Sequence, residues 1–281
     1  MTGTGSATSG ADLVVEQKDR VRILTLSRPD THNAISFKLA CAVAEAVEAA
    51  GADDATRVVV IRGAGRSFSA GYDLGTGSYG SRSVEENAKY LREMSRQWER
   101  VYYCPIPVIA QVHGYCLAGG TDLAGHCDIT MVADDATIGF PAVRSLGVAL
   151  TQMWVYHVGP QWAKRLLLTG DTMTGKLAAR IGFALDSVPA ADLGDEVMAL
   201  ARRMSMVERE MLVGNKHVIN HGIDLMGREA LQDLAAEQDA LAHETPPARA
   251  FAAMIHRDGL RAALRARDEP FGDSRLDVHG E

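Results

Sequence analysis

A run of four β-branched residues without polar interruption, Val58 to Ile61, most constrains the fold of this chain. Such a run is typical of a strand that is covered on both faces. A helix is predicted before it, because apolar residues recur at helical spacing between Ser36, a good helix cap, and Gly51, where we expect the helix to end. An earlier β-branched segment, Val21 to Leu26, predicts another strand. Strand, helix and strand in this order indicate a βαβ unit.

The alternation of helix and strand continues toward the middle of the chain. We predict a long helix from Val84 to Tyr102, a strand over 108–112, a short helix from about Ala118 and a strand over 128–132. Parallel strands joined by helices form a sheet with both faces buried, so the predicted fold class is α/β. From about Trp154, strand signals nearly vanish and alanine-rich helical sequence continues through Arg267. This shift predicts a helical C-terminal part.

Composition excludes several classes of protein. The chain has 281 residues and a formal net charge of -7, which argues against nucleic-acid binding because phosphates are bound by clustered Lys and Arg. No stretch reaches the roughly 18 apolar residues of a membrane helix, and the first residues lack a signal-peptide pattern. The four cysteines and nine histidines show no metal-ligand spacing. We expect a cytoplasmic protein that binds neither membrane nor metal, with reduced thiols and with residues 1–11 disordered.

Two loops rich in small residues follow buried strands. The first runs from Phe68 to Leu74, and the second from His113 to Leu123, where a helix begins. Small residues let ligand atoms approach the backbone closely. The N–H groups near Gly119 also lie at the positive end of a helix dipole. Two N–H donors from two such loops form an oxyanion hole.

Three motifs together resemble the signatures of a known family. They are Arg28-Pro29-Asp30-Thr31-His32-Asn33-Ala34-Ile35, the segment Phe68 to Leu74, and His113 through Cys127-Asp128-Ile129. In this order and spacing they resemble the enoyl-CoA hydratase/isomerase (crotonase) superfamily, over about residues 12–270. The resemblance implies a crotonase-like ββα spiral core with a helical C-terminal part. It also implies an enzyme that binds an acyl-CoA thioester and stabilises its enolate.

The resemblance further implies how the chain is organised. Residues 12–200 would form the crotonase-like acyl-CoA-binding core, and residues 201–281 a helical part that builds a homotrimer or a dimer of trimers. Coenzyme A would enter as part of the substrate, with no permanently bound cofactor.

Family motifs assign roles to particular positions of this sequence. The resemblance places the oxyanion hole at the backbone N–H groups of Tyr72 and Gly119, so the side chain of Tyr72 does not disqualify it. Each preorganised donor of this kind can be worth about 10²–10³ in rate. A basic residue of the C-terminal helix often meets the CoA phosphates in relatives, and Arg267 stands beside the aligned Ala266. The implied CoA-binding residues are Asp30, Thr31, His32, Ala70, Asp73, Leu74 and Arg267.

Hydratases of this family carry two glutamates, and both positions differ here. Counting without gaps, the first is Asp122 and the second is Ala142. Two carboxylates suit hydration, because one orients or deprotonates water while the other manages the proton of the α-carbon. Asp122 keeps a carboxylate, set back by roughly 1.5 Å because its side chain is one methylene shorter. It is our candidate acid or base. The alternative is that its negative charge only stabilises the first turn of its helix. Ala142 cannot exchange a proton, and the possible substitutes are Arg144, Tyr115, His126 and Tyr72.

Several activities stay open within this class. Hydration of a trans-2-enoyl-CoA is our first interpretation, because family frequency favours it. Double-bond isomerisation, with Asp122 moving one proton, and hydrolysis or decarboxylation of a CoA thioester or β-diketone are alternatives that need only one carboxylate. A non-catalytic acyl-CoA-binding protein is the alternative of another class, which Ala142 supports and Asp122 opposes.

Overall fold

The computed structural model describes residues 12–76 and 82–278, so the predicted disordered segment 1–11 lies outside the described residues. The strands are β1 Leu13–Lys18, β2 Val21–Leu26, β3 Val58–Gly63, β4 Val108–Val112, β5 Tyr115–Leu117, β6 Ile129–Ala133, β7 Thr137–Gly139, β8 Thr172–Thr174, β9 Asp186–Val188 and β10 Arg275–Leu276. The helices are α1 Phe37–Ala52, α2 Val84–Tyr102, α3 Gly119–His126, α4 Trp154–Leu167, α5 Gly175–Ile181, α6 Leu193–Ser205, α7 Arg209–Leu225, α8 Arg228–His243, α9 Pro246–Asp258 and α10 Leu260–Asp268.

Six strands form the larger sheet, in the order β1-β2-β3-β4-β6-β9. Only β1 runs antiparallel to its neighbour, while β2, β3, β4, β6 and β9 pair in parallel. Residues Val58 to Ile61 of β3 are buried, as a strand covered on both faces requires. The α/β fold class and the predicted strands of this sheet are confirmed.

A smaller sheet has the order β10-β8-β7-β5. Its pairs β5·β7 and β8·β10 are parallel, and β7·β8 is antiparallel. None of its strands exceeds three residues. Strands this short carry no readable period, which is why the sequence analysis did not find this sheet.

Helix α2 has the predicted bounds, and α1 begins where its cap was predicted. The hydroxyl of Ser36 accepts the N–H of Leu39 at 3.1 Å. The expectation that Gly51 ends α1 is wrong, because the helix continues to Ala52. A Cβ at Gly51 would lie 2.8 Å from Cδ of Pro105. Glycine is needed there for packing and not as a helix stop.

The C-terminal part is helical, as predicted, but strands do not vanish from it. Strand β9 extends the larger sheet by pairing with β6, and β8 and β10 belong to the smaller one. Helix α6 spans residue 200 and packs on β2, β3 and β4. The division between core and trimerisation part at residue 200 stays a prediction.

The core lies between the larger sheet and the helices. Its largest fully buried side chains include Trp98, Trp154 and Phe68. Three of the four cysteines are buried, and none of the four is paired in a disulfide. Within the described ranges, no helix is long and apolar enough to cross a membrane.

The cap at Ser36 provides a test of the first βαβ unit. Replacing Ser36 by Ala removes the acceptor for the Leu39 N–H and should lower the free energy of unfolding by about 1 kcal/mol. Urea unfolding followed by circular dichroism measures this change. Ser36→Asp retains a capping oxygen and serves as the control, and an equal loss in both variants would contradict the role of the cap.

Candidate active site

The buried side chain of Asn33 joins the first motif segment to the loop after β3, just before Phe68. Its Nδ2 donates to the carbonyl oxygens of Ala64 at 2.9 Å and of Ser67 at 2.7 Å, and its Oδ1 accepts the N–H of Arg28 at 2.8 Å. Asn33 has a φ of 55°, a left-handed conformation that asparagine tolerates better than most residues. The Asp30–His32 turn is thereby held against the loop that leads to Tyr72.

The loop after β3 and the segment after β4 are also joined directly. The N–H of Phe68 donates to His113, that of Ser69 donates to Tyr115, and that of Leu117 donates back to Ser69, at 2.8–3.0 Å. Gly71 has a φ of 106°, and a Cβ there would lie 2.9 Å from the oxygen of Leu117 and 3.3 Å from the nitrogen of Gly119. The two turns touch at a point where only glycine fits.

The residue before α3 has an unusual backbone conformation. Ala118 has φ 45° and ψ -117°, which costs a residue with a Cβ on the order of 1–3 kcal/mol. Its N–H donates to the carbonyl of Gly139 at 2.9 Å, which helps to hold it. The bend starts α3 at Gly119, beside the first turn, as the sequence predicted.

The predicted oxyanion donors are therefore neighbours. Ile35 donates to the Gly71 carbonyl and accepts from the Asp73 N–H, so the Tyr72 N–H between them points away from this pairing. The Gly119 N–H belongs to the first turn of α3, where helical N–H groups have no partner within the helix. Among the described residues, neither N–H donates to a backbone carbonyl outside regular secondary structure. That both groups donate to one oxygen atom stays a prediction.

A cavity of about 790 Å³ opens beside these turns. Its wall contains Tyr72, which carries one predicted donor, and Ala118, which precedes the other. Gly119 itself is buried behind the ring of Tyr72. All predicted CoA-binding residues line this one cavity: Asp30, Thr31, His32, Ala70, Asp73, Leu74 and Arg267. The guanidinium of Arg267 is paired with Asp268 at 2.8 Å. Coenzyme A binding by these residues stays a prediction.

Asp122 lies within a buried chain of hydrogen bonds. Trp98 Nε1 donates to the Tyr72 hydroxyl at 3.0 Å, and this hydroxyl donates to Asp122 Oδ2 at 2.9 Å. The Thr151 hydroxyl donates to Asp122 Oδ1 at 2.7 Å. Burial raises the pKa of Asp122 to about 6, although the hydrogen bonds from Thr151 and Tyr72 act to lower it.

This chain separates Asp122 from the cavity. Asp122 is 1% exposed and is not among the described residues that line the cavity, whereas Tyr72 is. The structure thus brings Asp122 to the back of the predicted oxyanion hole rather than to its open side. The phenol of Tyr72, which is hydrogen-bonded to Asp122, lies between Asp122 and the cavity.

The other candidates for the missing glutamate lie in different surroundings. Arg144 lines the cavity, but its guanidinium is paired with Asp171 at 3.4 Å and Asp268 at 3.1 Å. Tyr115 lies at the cavity mouth and is 44% exposed. His126 is fully buried under α8, and burial lowers its pKa to about 3. Of these three, His126 does not line the cavity, and the guanidinium of Arg144 is engaged by two carboxylates.

A titratable pair that the sequence analysis missed does line the cavity. Asp239 and His243, one turn apart on α8, face it beside Ala142 and Gly147. Asp239 Oδ1 accepts the Val148 N–H at 2.7 Å and lies 3.4 Å from Nε2 of His243. Burial raises the pKa of Asp239 to about 8, and burial lowers the pKa of His243 to about 4. At neutral pH the 3.4 Å contact therefore joins two uncharged groups.

A sequence signal for this pair exists. Ala235, Ala236 and Ala240 form the buried face of α8, and Asp239 is a polar residue on that same face. An acidic residue on an alanine face, with a histidine four positions later, indicates a buried titratable pair. The pair was missed because neither residue belongs to the three motifs from which most of the candidate site residues were drawn.

The fold and the cavity define a class of α/β proteins in which two touching turns lie beside one large cavity. A family model described as enoyl-CoA hydratase/isomerase matches residues 16–254. The crystal structure of an enoyl-CoA hydratase from Mycobacterium smegmatis is 33% identical, with a TM-score of 0.90, over 94% of this chain and 95% of that one. An enoyl-CoA hydratase/isomerase structure from Xanthobacter autotrophicus Py2 is 32% identical, with a TM-score of 0.88, over 93% and 98%.

One of the sequence relatives has a name that specifies its substrate. The 2,3-dehydroadipyl-CoA hydratase of Escherichia coli is 29% identical over 93% of this chain and 98% of its own length. The chain belongs to the enoyl-CoA hydratase/isomerase family, and it is an enzyme of that family. The predicted superfamily is confirmed.

The buried carboxyl of Asp122 makes stability depend on pH. Because its pKa is raised from 3.8 to about 6, the folded protein holds this proton more tightly than the unfolded chain does. The contribution of Asp122 to stability is fully present below pH 3.8 and is lost as the pH rises through 6. The side chain of Asn cannot ionise. As the pH rises from 4 to 8, the free energy of unfolding of Asp122→Asn should therefore increase by on the order of 3 kcal/mol relative to that of the wild type.

Urea unfolding at several pH values measures this relative gain. Asp233→Asn is the matched control, because Asp233 lies on the exposed side of α8. A difference between Asp122→Asn and wild type that stays constant with pH would show that Asp122 is not perturbed by burial.

Proposed function

We propose that this protein is a hydratase-type acyl-CoA enzyme that adds water to a trans-2-enoyl-CoA. The family and the names of its relatives support this class of reaction. The observation that carries the proposal is the pair of N–H groups at Tyr72 and Gly119, presented by two touching turns beside the cavity. In the proposed mechanism, both donate to the oxygen of the thioester.

This arrangement suits chemistry that passes through an enolate. When water adds to the β-carbon, negative charge moves onto the thioester oxygen. Donors that are already oriented stabilise that charge without reorganising, and more strongly in a cavity that excludes water. The turns of Asp30–His32 and Ala70–Leu74 would hold the CoA portion, and the acyl chain would lie against the apolar wall, which includes Leu91, Met94, Phe140, Leu146 and Leu150.

The proposed part of Asp122 in turnover acts through Tyr72. The carboxyl group of Asp122 accepts a hydrogen bond from the phenol of Tyr72 and so holds the ring against Gly119. The same residue carries one of the two proposed oxyanion donors on its backbone. Fixing the side chain of Tyr72 therefore also fixes the direction of its N–H.

The decisive experiment is a steady-state assay of the purified protein with crotonyl-CoA and a 3-enoyl-CoA in parallel. Water addition to crotonyl-CoA is the expected result. Migration of the double bond without hydration would instead establish an isomerase. Binding of both esters without turnover of either would overturn hydration and favour the hydrolase or decarboxylase alternatives.

A substitution at Gly119 tests the oxyanion hole directly. A Cβ there would lie 2.8 Å from three ring atoms of Tyr72, so Gly119→Ala should displace the turn that carries one donor. We expect kcat/KM for crotonyl-CoA to fall by about 10²-fold or more. Gly194→Ala, near the start of α6, is the matched control, because its Cβ would meet only Gln111 Nε2 at 4.0 Å. Unchanged kcat/KM in Gly119→Ala would argue against this hole.

We also propose that the chain forms a homotrimer or a dimer of trimers. Helix α7 and the turn after it expose several large apolar side chains, among them Val218, Ile219, Leu225 and Met226. Exposed apolar clusters of this kind are typical of surfaces covered by another subunit. A second copy of this chain is the occupant that the family resemblance favours.

Light scattering at micromolar concentration tests this assembly. The wild type should have three or six times the chain mass of 30.2 kDa. Ile219→Asp should reduce that mass, because a charge at the centre of an apolar interface is left without a partner. Ala49→Asp on the exposed side of α1 is the control, and a monomeric wild type would contradict the proposal.

A further inference from the structure

Asp239 is the acidic side chain of α8 that reaches the cavity wall. It lines the cavity together with Tyr72, Ala142 and Gly147. A Cβ at Gly147 would lie only 2.0 Å from Asp239 Oδ1. The carboxyl group therefore occupies the space that a side chain at position 147 would fill. It is built into the wall and held there by the Val148 N–H at 2.7 Å.

The hydrogen bonds around Asp239 distinguish its two oxygens. Oδ1 accepts the Val148 N–H and faces Nε2 of His243. The amide nitrogen of Asn87 lies 2.8 Å from Nδ1 of His243 and donates to it, so a neutral imidazole carries its proton on Nε2, toward Asp239. Among the described residues, no hydrogen-bond donor reaches Oδ2. A proton on the carboxyl group is therefore placed on Oδ2.

The protonation state follows from these surroundings. Three titratable groups lie near Asp239, namely His243 on its own helix, Asp122 on α3 and Tyr72 in the loop after β3. Glu244 and Arg82 lie near the imidazole of His243. Burial raises the pKa of Asp239, and the charge of Asp122 raises it further. At pH 7 Asp239 is a carboxylic acid, with a pKa near the working pH, as general acid–base catalysis favours.

We propose that Asp239 is the proton-exchanging carboxyl group of this active site, in place of the side chain that Ala142 lacks. The inference rests on the proposed hydration. The oxygen of water bonds to the β-carbon, and the electron pair of the double bond moves toward the thioester oxygen, held by the N–H groups of Tyr72 and Gly119. As the carbonyl re-forms, the proton on Asp239 passes to the α-carbon. The proton that the added water loses restores the acid.

Asn87 and His243 act as positioning residues in this arrangement. Asn87, on α2, holds the imidazole, and the imidazole faces Oδ1. Because Oδ1 is occupied, the acidic proton stays on the oxygen that no donor of the described residues engages. Helices α2 and α8 pack against each other, so their packing sets the direction of the catalytic group.

Asp239→Asn tests the proposal, because the amide preserves the shape and an oxygen for the Val148 N–H but cannot exchange the proton. We expect kcat for crotonyl-CoA hydration to fall about 100-fold or more, with KM changed less than about threefold. Calorimetry with butyryl-CoA should show that binding is retained. Exchange of the α-proton of butyryl-CoA in D₂O should be lost. Asp233→Asn, on the exposed side of the same helix, should behave as the wild type.

The outcomes separate the two proposals. A kcat of Asp239→Asn within threefold of the wild type would overturn the role of Asp239 and leave hydration standing. A wild type that exchanges the α-proton through Asp239 but does not hydrate crotonyl-CoA would refute hydration and retain the role of Asp239. If Asp239→Asn does not fold, the pH profile of the wild type decides. If the rate falls above a pKa of about 8, the proposal is supported. If the rate does not change between pH 7 and pH 9.5, the proposal is overturned.

Discussion

The active site depends on the contact between Gly71 and the start of α3. Strands β3 and β4 are neighbours in the parallel sheet, so the segments that leave their carboxyl ends emerge side by side. These segments then approach so closely that a Cβ at Gly71 would meet the oxygen of Leu117 and the nitrogen of Gly119. The sheet brings the two segments near each other, and the absence of a side chain at Gly71 lets their backbones come into contact. Two peptide N–H groups become neighbours as a result of backbone packing alone.

A second layer of polar side chains stabilises this contact from behind. Trp98, Tyr72, Asp122 and Thr151 form a continuous chain of hydrogen bonds in which both carboxyl oxygens of Asp122 have donors. Buried polar groups with full complements of partners make a structure rigid, because each displaced group would be left unsatisfied. The chain thus ties α2 and the segment before α4 to the turn that carries Tyr72. The carboxyl group of Asp122 therefore has a structural role in addition to any role in proton transfer.

Much of the fold and half of the site were readable from the sequence. Strand β3 and helix α2 were readable because a buried strand and an amphipathic helix each leave a period over many residues. The loops at Tyr72 and Gly119 were readable from their glycines and their motif spacing. The burial of Asp122 was not, because the phenol that covers it lies fifty positions away in sequence. The polar position of Asp239 on the alanine face of α8 was readable from the sequence, but that this face meets the cavity was not, because only tertiary packing brings α8 there.

The close approach of Gly147 and Asp239 has a consequence for how this cavity can vary among relatives. A carboxyl group at 239 and a side chain at 147 compete for the same volume, since the Cβ and Oδ1 would be 2.0 Å apart. The residues at positions 147 and 239 are therefore expected to change together. A lineage that enlarges residue 147 must shorten or redirect residue 239, and one that loses the aspartate is free to fill the space from either side. Covariation of these positions would trace where the acid was acquired and where it was abandoned.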